Sequence, residues 1–299
     1  MTERGSRARV GIVGVPGGWS SERLADAFAA RTGYRLLVDA GRVVADLASR
    51  RVMFGGVDLT GLDGLVMKKL GASYGRDMLD RLEVCRYIEA TGVACFSKPS
   101  GVLRLLDRLS CTVTLAAAGV PIPPTVITES VEAAVAAVHD LGGAVLKPLY
   151  STKAEGMLVV APGDPGLTGK VAAFAAQNPV IYLQKRVRLP DRDLGVVFLG
   201  GEHLGTYARV KAPGAWSTTT RDGGHYERHA AARSVVDLAH KAQGLFDLDF
   251  TSVDVAETAG GPVVFEVSAF GGFRGLQEGL GLDAAGLYAD HVLARVRRG

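Results

Sequence analysis

Two acidic residues interrupt neighbouring apolar runs in the last third of the sequence. Asp254 lies in "SVDV" and Glu266 in "FEVS", and a Gly-Gly pair between the runs predicts two antiparallel strands. A lone buried carboxylate is costly, so two on paired strands favour a bound cation, and hard oxygen ligands of this kind suit Mg²⁺. Ser268 shares the strand face of Glu266 and is a third candidate ligand. An ion pair with Arg209 or Arg274 is the alternative.

A lysine and a polar loop follow one another in the stretch "VLKPLYSTKAEGM" at residues 145–157. Lys147 ends an apolar run, and the loop after it contains Thr152, Lys153 and Gly156. Two ammonium groups, hydroxyl groups and backbone N–H groups in this order favour the binding of a polyphosphate. The loop lacks Walker A spacing and leads into a strand, so no helix N-terminus takes part. The alternative is that Lys147 only ends its strand and Lys153 is solvated.

A polar hinge follows the next apolar strand, in "YLQKRV" at residues 182–187. Gln184, Lys185, Arg186 and Val187 end that strand and lead into a second linker. Main-chain N–H and C=O groups at such a strand end can bind the edge of an adenine ring. The pattern indicates a nucleotide site only in combination with the polar loop and the paired acids.

The elements that must position these residues change character along the chain. The first hundred residues alternate apolar runs with amphipathic segments, which predicts a parallel sheet flanked by helices. One amphipathic helical segment is expected at 100–119, where the prolines of "VPIPPT" follow. The last third pairs strands across Gly-Gly turns, which predicts an antiparallel sheet. The predicted divisions are a parallel-sheet domain at 1–98, a connecting helix and linker at 99–124, a small α/β subdomain at 125–187 and an antiparallel-sheet subdomain at 188–299.

The composition limits the classes of partner. The chain has 299 residues, of which 47% are apolar and 22% charged, with a formal net charge of +3. Basic and acidic residues are interleaved, so we expect neither a nucleic-acid stripe nor a membrane-surface patch. No apolar run reaches the roughly 18 residues of a spanning helix and no signal-peptide pattern is present, so we expect a cytoplasmic protein. Cys85, Cys95 and Cys111 are expected to be free, mostly buried thiols.

The order of these motifs resembles that of ATP-grasp enzymes. The motifs are Asp107-Arg108, "VPIPPT", "VLKPLYSTKAEGM", "LQKRV", Asp193, Arg209, the loop to Gly223-Gly224, "SVDV" and "FEVSAFGGFRGL". The resemblance covers nearly the whole chain and is closest to the RimK-like branch of carboxylate–amine ligases. Within that branch the chain is also similar to the ATP-grasp component of the GAK system. The implied fold class is α/β plus α+β, with a pre-ATP-grasp parallel-sheet domain, a small lid subdomain and a C-terminal antiparallel-sheet subdomain.

The resemblance also implies roles for individual residues. ATP would contact Arg108, Lys147, Thr152, Lys153, Gly156, Gln184, Lys185, Arg186, Val187 and Asp193, and Mg²⁺ would be bound by Asp254, Glu266 and Ser268. The implied catalytic residues are Lys147 at the α- and β-phosphates, Arg209 at the reacting phosphate or acyl group, and Arg209 or Arg274 at the oxyanion.

Some positions depart from the family pattern. Ser268 stands where relatives carry Asn, which leaves one or two metal ions open. Arg108 stands where Lys is common, and it keeps the charge but not the point geometry. The segment "WSTTTRDGG" replaces an Arg-Ser-Asn pattern, so glutamate as the amine substrate loses its support.

The hypothesis from the sequence is a ligase that uses ATP and Mg²⁺, with Mn²⁺ as a second candidate metal. It would phosphorylate a carboxylate and let an amine attack the acylphosphate to give an amide. The expected partners are small-molecule or peptide carboxylates and amines. The sequence leaves the oligomeric state open, although a homo-oligomer is common among the enzymes that the chain resembles. The alternatives are an ATP-binding regulatory module without turnover and an ATP-grasp kinase that phosphorylates a hydroxyl.

Overall fold

The N-terminal sheet consists of four parallel strands, as expected from the alternating pattern. They are β1 (Val10–Val13), β2 (Leu37–Val38), β6 (Gly64–Met67) and β7 (Ala94–Phe96), in the order β2, β1, β6, β7. β1 and β6 are buried along their whole length, which is typical of parallel strands covered on both faces. Two helices follow these strands: α1 (Trp19–Thr32) and α2 (Asp77–Ala90). These elements belong to a computed structural model, which describes residues 8–152, 154–187, 191–215, 218–220 and 223–297.

A second small sheet is inserted between β2 and β6. Its antiparallel strands are β3 (Val44–Asp46), β4 (Arg51–Phe54) and β5 (Val57–Asp58). The sequence analysis did not predict this sheet. Its strands are two to four residues long, and Val52 is the fully buried residue among them, so they carry little of the apolar periodicity that marks a strand.

The connecting segment is two helices rather than one, which corrects the prediction of a single helical segment at 100–119. The helices are α3 (Pro99–Leu103) and α4 (Arg108–Ala117). Asp107 separates them with an extended backbone, and its Oδ1 accepts a hydrogen bond from the Ser110 N–H at 2.7 Å. This cap starts α4 at Arg108, so the guanidinium of Arg108 extends from the first turn of the helix.

The segment expected to form the lid subdomain contains a four-stranded antiparallel sheet and two helices. Its elements are β8 (Thr125–Thr128), α5 (Val131–Leu141), β9 (Ala144–Lys147), β10 (Leu158–Val160), α6 (Leu167–Gln177) and β11 (Ile181–Lys185). The strands lie in the order β10, β9, β11, β8. Leu146, Val160 and Leu183 belong to an apolar core that is confined to this subdomain. The lid therefore has a core of its own.

The C-terminal sheet has five antiparallel strands. They are β12 (Arg192–Leu199), β13 (Glu202–Val210), β14 (His225–Arg228), β15 (Phe250–Thr258) and β16 (Gly261–Ser268), in the order β14, β13, β12, β15, β16. Gly200 and Gly201 form the turn between β12 and β13, with φ of +60° and +85°. The helices of this part are α7 (Arg233–Gln243), α8 (Arg274–Leu280) and α9 (Ala284–Val296).

The N-terminal and C-terminal sheets share a continuous core. Val13 and Leu65 lie in the same apolar cluster as Leu194 and Val253. Cys85 and Cys111 are buried free thiols and Cys95 is partly buried, as expected. In the part of the chain that the structure describes, no helix is both long and apolar enough to cross a membrane.

Candidate active site

Two carboxylates face each other on the C-terminal sheet. Asp254 of β15 is the direct cross-strand partner of Glu266 of β16, as the sequence predicted, so both side chains lie on one face. The Oδ2 atom of Asp254 is 2.9 Å from Nη2 of Arg209, and Oε2 of Glu266 is 3.2 Å from Nη1 of Arg108. Among the described residues, no hydrogen bond to Asp254 Oδ1 or Glu266 Oε1 is formed. Within the described part of the chain, each carboxylate therefore has one oxygen without a hydrogen-bond partner.

Arg209 joins Asp254 to a third acid. Asp193 of β12 lies directly opposite Arg209 of β13, and the Arg209 Nε donates to Asp193 Oδ1 at 3.1 Å while Nη2 pairs with Oδ2. Burial alone would lower the pKa of Arg209, but the charges of Asp193 and Asp254 raise it well above its ordinary value. Burial raises the pKa of Asp254, and the positive charge of Arg209 opposes that rise. Arg209 is therefore a fixed positive charge beside the carboxylate pair.

Arg108 connects the carboxylate pair to the lid. Besides its contact with Glu266, its Nη2 donates to Ser151 Oγ at 3.4 Å and its Nε to the Pro148 carbonyl at 3.5 Å. Arg108 is buried, whereas the side chain of Glu266 is 42% exposed. The Arg108 guanidinium donates both to the polar loop and to Glu266, so a movement of the loop would change its hydrogen bonds.

Lys147 ends β9 and extends towards the same region. Its Nζ donates to Gln184 Oε1 at 2.5 Å and lies 5.5 Å from the centre of the Phe265 ring. Burial lowers the pKa of Lys147 to about 7, Arg108 adds to this effect, and Glu266 opposes it. Near neutral pH the amine is therefore close to half-protonated, which leaves it ready to gain a proton when an anion approaches.

A hydrogen-bonded chain fixes the orientation of Gln184. Its Nε2 donates to Thr125 Oγ1 and to Tyr182 Oη, both at 3.2 Å. The Tyr182 hydroxyl is in turn 2.9 Å from Thr112 Oγ1 on α4. Because both amide protons are used in this way, the Gln184 oxygen must face Lys147.

Among the described residues, the hinge after β11 has one main-chain donor without a hydrogen-bond partner. The Lys185 N–H donates to the Pro124 carbonyl at 2.8 Å, and the Arg186 N–H to the Gly143 carbonyl at 3.2 Å. The Val187 N–H makes no hydrogen bond within the described ranges. The side chains of Lys185 and Arg186 are exposed. Of the predicted adenine hinge, Val187 therefore supplies the free donor.

The part of the chain that carries this geometry matches a known protein family. Residues 106–292 match the model of the RimK-like ATP-grasp domain. The chain belongs to the RimK-like ATP-grasp family. It is 28% identical over 215 residues to the tetrahydromethanopterin:alpha-L-glutamate ligase of Methanosarcina acetivorans, which covers 69% of this chain and 66% of that enzyme. It is 24% identical over 282 residues to a probable alpha-L-glutamate ligase of Maridesulfovibrio salexigens, covering 92% and 91% of the two chains.

Solved structures confirm the predicted ATP-grasp fold. The ATP-grasp ligase PsnB, complexed with a phosphomimetic variant of its minimal precursor, Mg and ADP, superposes with a TM-score of 0.76 at 18% identity, covering 97% of this chain and 99% of PsnB. A RimK-domain ATP-grasp protein from Sphaerobacter thermophilus gives 0.72 at 22% identity, covering 96% and 100%. The prediction of an ATP-dependent ligase agrees with the ligase names of the relatives.

Two predicted residues of the RimK-like site take no part in the charged contacts described above, and a third lies outside the described residues. Arg274 stacks over Trp19 at 5.1 Å and pairs with Glu278 at 3.7 Å, so it contacts neither predicted metal carboxylate. Thr152 lies partly buried in the polar loop, and Lys153 lies outside the described residues. The sequence offered Arg209 and Arg274 as ion-pair partners for the two carboxylates. Arg209 does pair with Asp254, whereas Arg274 pairs with Glu278 instead.

Gly156 and Ser268 are held by their local backbone. Gly156 has φ of +68°, and a Cβ atom there would lie 3.0 Å from Cγ of Pro148. The Oγ of Ser268 accepts a hydrogen bond from the Phe270 N–H at 3.3 Å. Ser268 lies on the face of Glu266, but this bond occupies part of its capacity as a ligand.

Two tyrosines, Tyr74 and Tyr207, lie at the site, although the sequence did not predict either of them as a site residue. Tyr74 lines a small cavity with Arg108 and Glu266, and its ring meets that of Phe270 edge-on at 6.4 Å. Burial, together with the charge of Glu266, raises the pKa of Tyr74. Tyr74 lies between β6 and α2, after the carboxyl end of a parallel strand, which is where ligand sites gather.

The sequence did not predict Tyr207 as a site residue, because its position depends on space that two glycines leave open. The ring of Tyr207 occupies the space where Cβ atoms of Gly195 and Gly275 would lie. Gly195 is the cross-strand partner of Asp254, so Tyr207 packs on the same face beside that carboxylate. A glycine in the middle of an apolar strand was the signal for such a close approach.

The donor set fits a hard divalent cation. Asp254 and Glu266 supply two open carboxylate oxygens on one face, and Mg²⁺ commonly takes one or two carboxylates plus phosphate oxygens. Within the described residues, no group of three or more His, Cys, Asp or Glu side chains could hold a metal. Ser268, substrate oxygens and water oxygens would be candidates for the remaining ligands of such an ion.

Proposed function

We propose that this protein is a Mg²⁺- and ATP-dependent carboxylate–amine ligase that works through an acylphosphate. The observation that carries the proposal is the paired carboxylates, Asp254 and Glu266, each held by an arginine at one oxygen and open at the other. The family of the chain and the ligase names of its relatives support the same reaction class.

The reaction divides into two balanced steps. An oxygen of the substrate carboxylate attacks the γ-phosphorus of ATP, which forms the acylphosphate and releases ADP. The amine then attacks the acyl carbon, loses a proton, and expels inorganic phosphate to leave an amide. Phosphoryl transfer requires mainly positioning and neutralisation of charge. A bound Mg²⁺ would supply part of that neutralisation at the phosphate oxygens.

The side chains of this protein supply the rest. Lys147 places an ammonium group at the end of β9, where it becomes fully charged against phosphate oxygens. Arg209 keeps its charge because Asp193 and Asp254 fix it, so it can stabilise negative charge on the reacting phosphate or acyl oxygen. Gln184 orients Lys147 and the Val187 N–H offers a donor to an adenine ring.

The lid excludes water from the acylphosphate. Its apolar core is separate from the shared core of the other two sheets, so it can move as a unit. Arg108 bonds to both the polar loop and Glu266, which ties the position of the lid to the carboxylate pair. Water excluded by lid closure cannot hydrolyse the intermediate before the amine arrives.

We further propose that the substrates are small-molecule or peptide carboxylates and amines. The named relatives include glutamate ligases, and PsnB is a ligase complexed with a precursor peptide. The segment that would support glutamate is replaced by "WSTTTRDGG", of which Trp216, Ser217, Arg221 and Asp222 lie outside the described residues.

A regulatory module without turnover is the second candidate, and Ser268 favours it. Its Oγ already accepts the Phe270 N–H, so it is a weaker metal ligand than the Asn of relatives. Such a protein would bind ATP tightly and release no ADP.

The test is turnover in an extract of small metabolites and peptides. The purified protein is incubated with ATP and either Mg²⁺ or Mn²⁺, ADP is quantified, and mass spectrometry searches for a new amide. Lys147→Met should lower ADP formation by about 10²- to 10³-fold, whereas Lys170→Met, on an exposed part of α6, should not. Bound ATP without ADP would favour the regulatory module, and a phosphate ester in place of an amide would contradict the ligase.

A further inference from the structure

A lysine of the N-terminal sheet is buried against the C-terminal part of the chain. Lys68 follows β6 directly and is 2% exposed. Its Nζ donates to the Gly271 carbonyl at 2.5 Å, and it lies 4.1 Å from the centre of the Phe273 ring and 5.6 Å from that of Phe250. The two rings are themselves edge-on at 5.1 Å. The ammonium group is therefore enclosed by a carbonyl oxygen and two aromatic rings.

The carbonyl that Lys68 binds belongs to a loop next to the paired carboxylates. We call residues 269–273 the glycine loop; it leads from β16 to α8. A Cβ atom on Gly271 would lie 2.9 Å from Ser252 Oγ and 3.2 Å from the Ser252 nitrogen, so the loop presses on β15 there. Ser252 precedes Asp254 on the same strand face and is the cross-strand partner of Ser268. The glycine loop thus lies one strand position from the carboxylate pair.

The same loop forms a wall of the site. Phe270 of the glycine loop meets the Tyr74 ring at 6.4 Å. Tyr74 lines the small cavity that also contains Glu266 and Arg108. A shift of the glycine loop would therefore move both the strand beside Asp254 and the aromatic wall beside Glu266.

Stability does not explain why a lysine occupies this place. Burial, with a smaller contribution from the charge of Lys69, lowers the pKa of Lys68 to about 7. The unfolded chain therefore binds the proton more tightly, which costs folding stability at neutral pH until the pH rises towards the ordinary value of 10.5. An apolar side chain of similar length would avoid this cost.

We infer that Lys68 is a positioning residue: from the N-terminal sheet it fixes the glycine loop, and through the loop it fixes the wall and floor of the carboxylate site. The ammonium group acts on the Gly271 carbonyl and touches no reacting atom. Its role is to hold the glycine loop, and with it the residues beside Asp254 and Glu266, in a single conformation. The inference rests on the proposed ligase function only for its effect on turnover.

The first test measures the loop itself, in the full-length protein without nucleotide. Lys68→Met keeps the length and the apolar stem but removes the charge and the hydrogen bond to Gly271. Hydrogen exchange of residues 269–273 should accelerate by at least about tenfold, the equivalent of one charge-assisted hydrogen bond. Lys241→Met is the matched control, because Lys241 Nζ also donates to a carbonyl, that of Gly119 at 3.2 Å, on the exposed surface. It should leave the exchange of the glycine loop unchanged.

The second test separates positioning from folding. Lys68→Met should melt at the same temperature as wild type or higher, should bind ATP with wild-type affinity, and should lose about 100-fold in turnover on a substrate found by the extract screen. Lys68→Arg, which keeps a charged donor, should recover part of that turnover. Gly271→Ala displaces the same loop from the Ser252 side and should reproduce the defect with Lys68 intact.

The outcomes distinguish this inference from the ligase proposal. Wild-type exchange of the glycine loop in Lys68→Met would overturn the positioning role, whatever the protein catalyses. A lowered melting temperature with turnover lost in proportion to unfolding would also overturn it, because Lys68 would then be only structural. If wild type forms no amide but Lys68→Met still loosens the loop, the ligase proposal fails and the positioning role stands.

Discussion

ATP binding should load a proton onto Lys147. Burial lowers its pKa to about 7 in the free protein, and the phosphates of ATP should raise it towards the ordinary 10.5. With a pKa of about 7, roughly one-tenth of the Lys147 side chains carry a proton at pH 8 and half do at pH 7. Binding should therefore take up about 0.9 proton at pH 8 and about 0.5 at pH 7.

The affinity for ATP should depend on pH for the same reason. Below pH 7 the lysine is already charged and binding costs nothing extra. Above pH 7 a proton must be captured first, so the affinity should fall by nearly tenfold for each further pH unit. The direction is loss of affinity as the pH rises, because the protonated form is the one that binds.

Calorimetry measures the proton directly. ATP with Mg²⁺ is titrated at pH 8 in two buffers of different ionisation enthalpy, and the difference in heat gives the number of protons taken up. The nucleotide should contribute little at pH 8, since a terminal phosphate group titrates near pH 6. Lys147→Arg is the control, because its guanidinium is charged throughout and should bind ATP without proton uptake. No uptake by wild type, or equal uptake by Lys147→Arg, would refute the reasoning.

Other substitutions test the remaining parts of the site. Glu266→Gln should raise the Mg²⁺ concentration for half-maximal turnover by at least about tenfold, and an unchanged Mg²⁺ titration would exclude Glu266 as a ligand. Gly195→Ala would place a Cβ inside the Tyr207 ring and should cost about 1–3 kcal/mol in the free energy of unfolding by denaturant. Gly169→Ala, where no atom lies within 4 Å, should not destabilise, and equal losses would contradict the packing argument. Tyr182→Phe should lower the free energy of unfolding by about 1 kcal/mol and weaken ATP binding. If neither quantity changes, the hydrogen-bonded side chains from Thr112 to Gln184 do not orient Gln184.

The carboxylate pair could be predicted from the sequence because its geometry is local. Asp254 and Glu266 lie on strands joined by a tight glycine turn, so the turn alone sets which residues face each other. The hairpin at Gly200 and Gly201 was predictable for the same reason. Within such hairpins, the alternation of side chains also assigns each acid to its face.

The partners of these acids could not be predicted, because distant elements supply them. Arg108 reaches Glu266 from a helix that starts only where Asp107 caps it, and the apolar pattern runs through that break without a signal. Arg209 reaches two acids because β12 and β15 are neighbours in the sheet, which strand pairing decides. The sequence analysis offered Arg274 equally, and it lies at Trp19 instead.

Lys68 shows the same limit for a buried cation. Lys68 and Lys69 are adjacent at the end of a parallel strand, so the sequence indicates that their side chains point in different directions. The sequence does not show that Lys68 enters an aromatic enclosure, because Phe250 and Phe273 come from the far end of the chain. Only the packing of the N-terminal sheet against the glycine loop reveals that contact.

Trapping the intermediate tests the central claim most directly. The wild-type protein is incubated with ATP, Mg²⁺ and the extract in the presence of hydroxylamine, and the products are identified by mass spectrometry. If an acylphosphate forms, hydroxylamine replaces the amine and a hydroxamate should accumulate together with ADP, and Lys147→Met should lower both by about 10²- to 10³-fold. ADP formed without any hydroxamate or amide, or ATP bound without turnover, would contradict the assignment as a carboxylate–amine ligase.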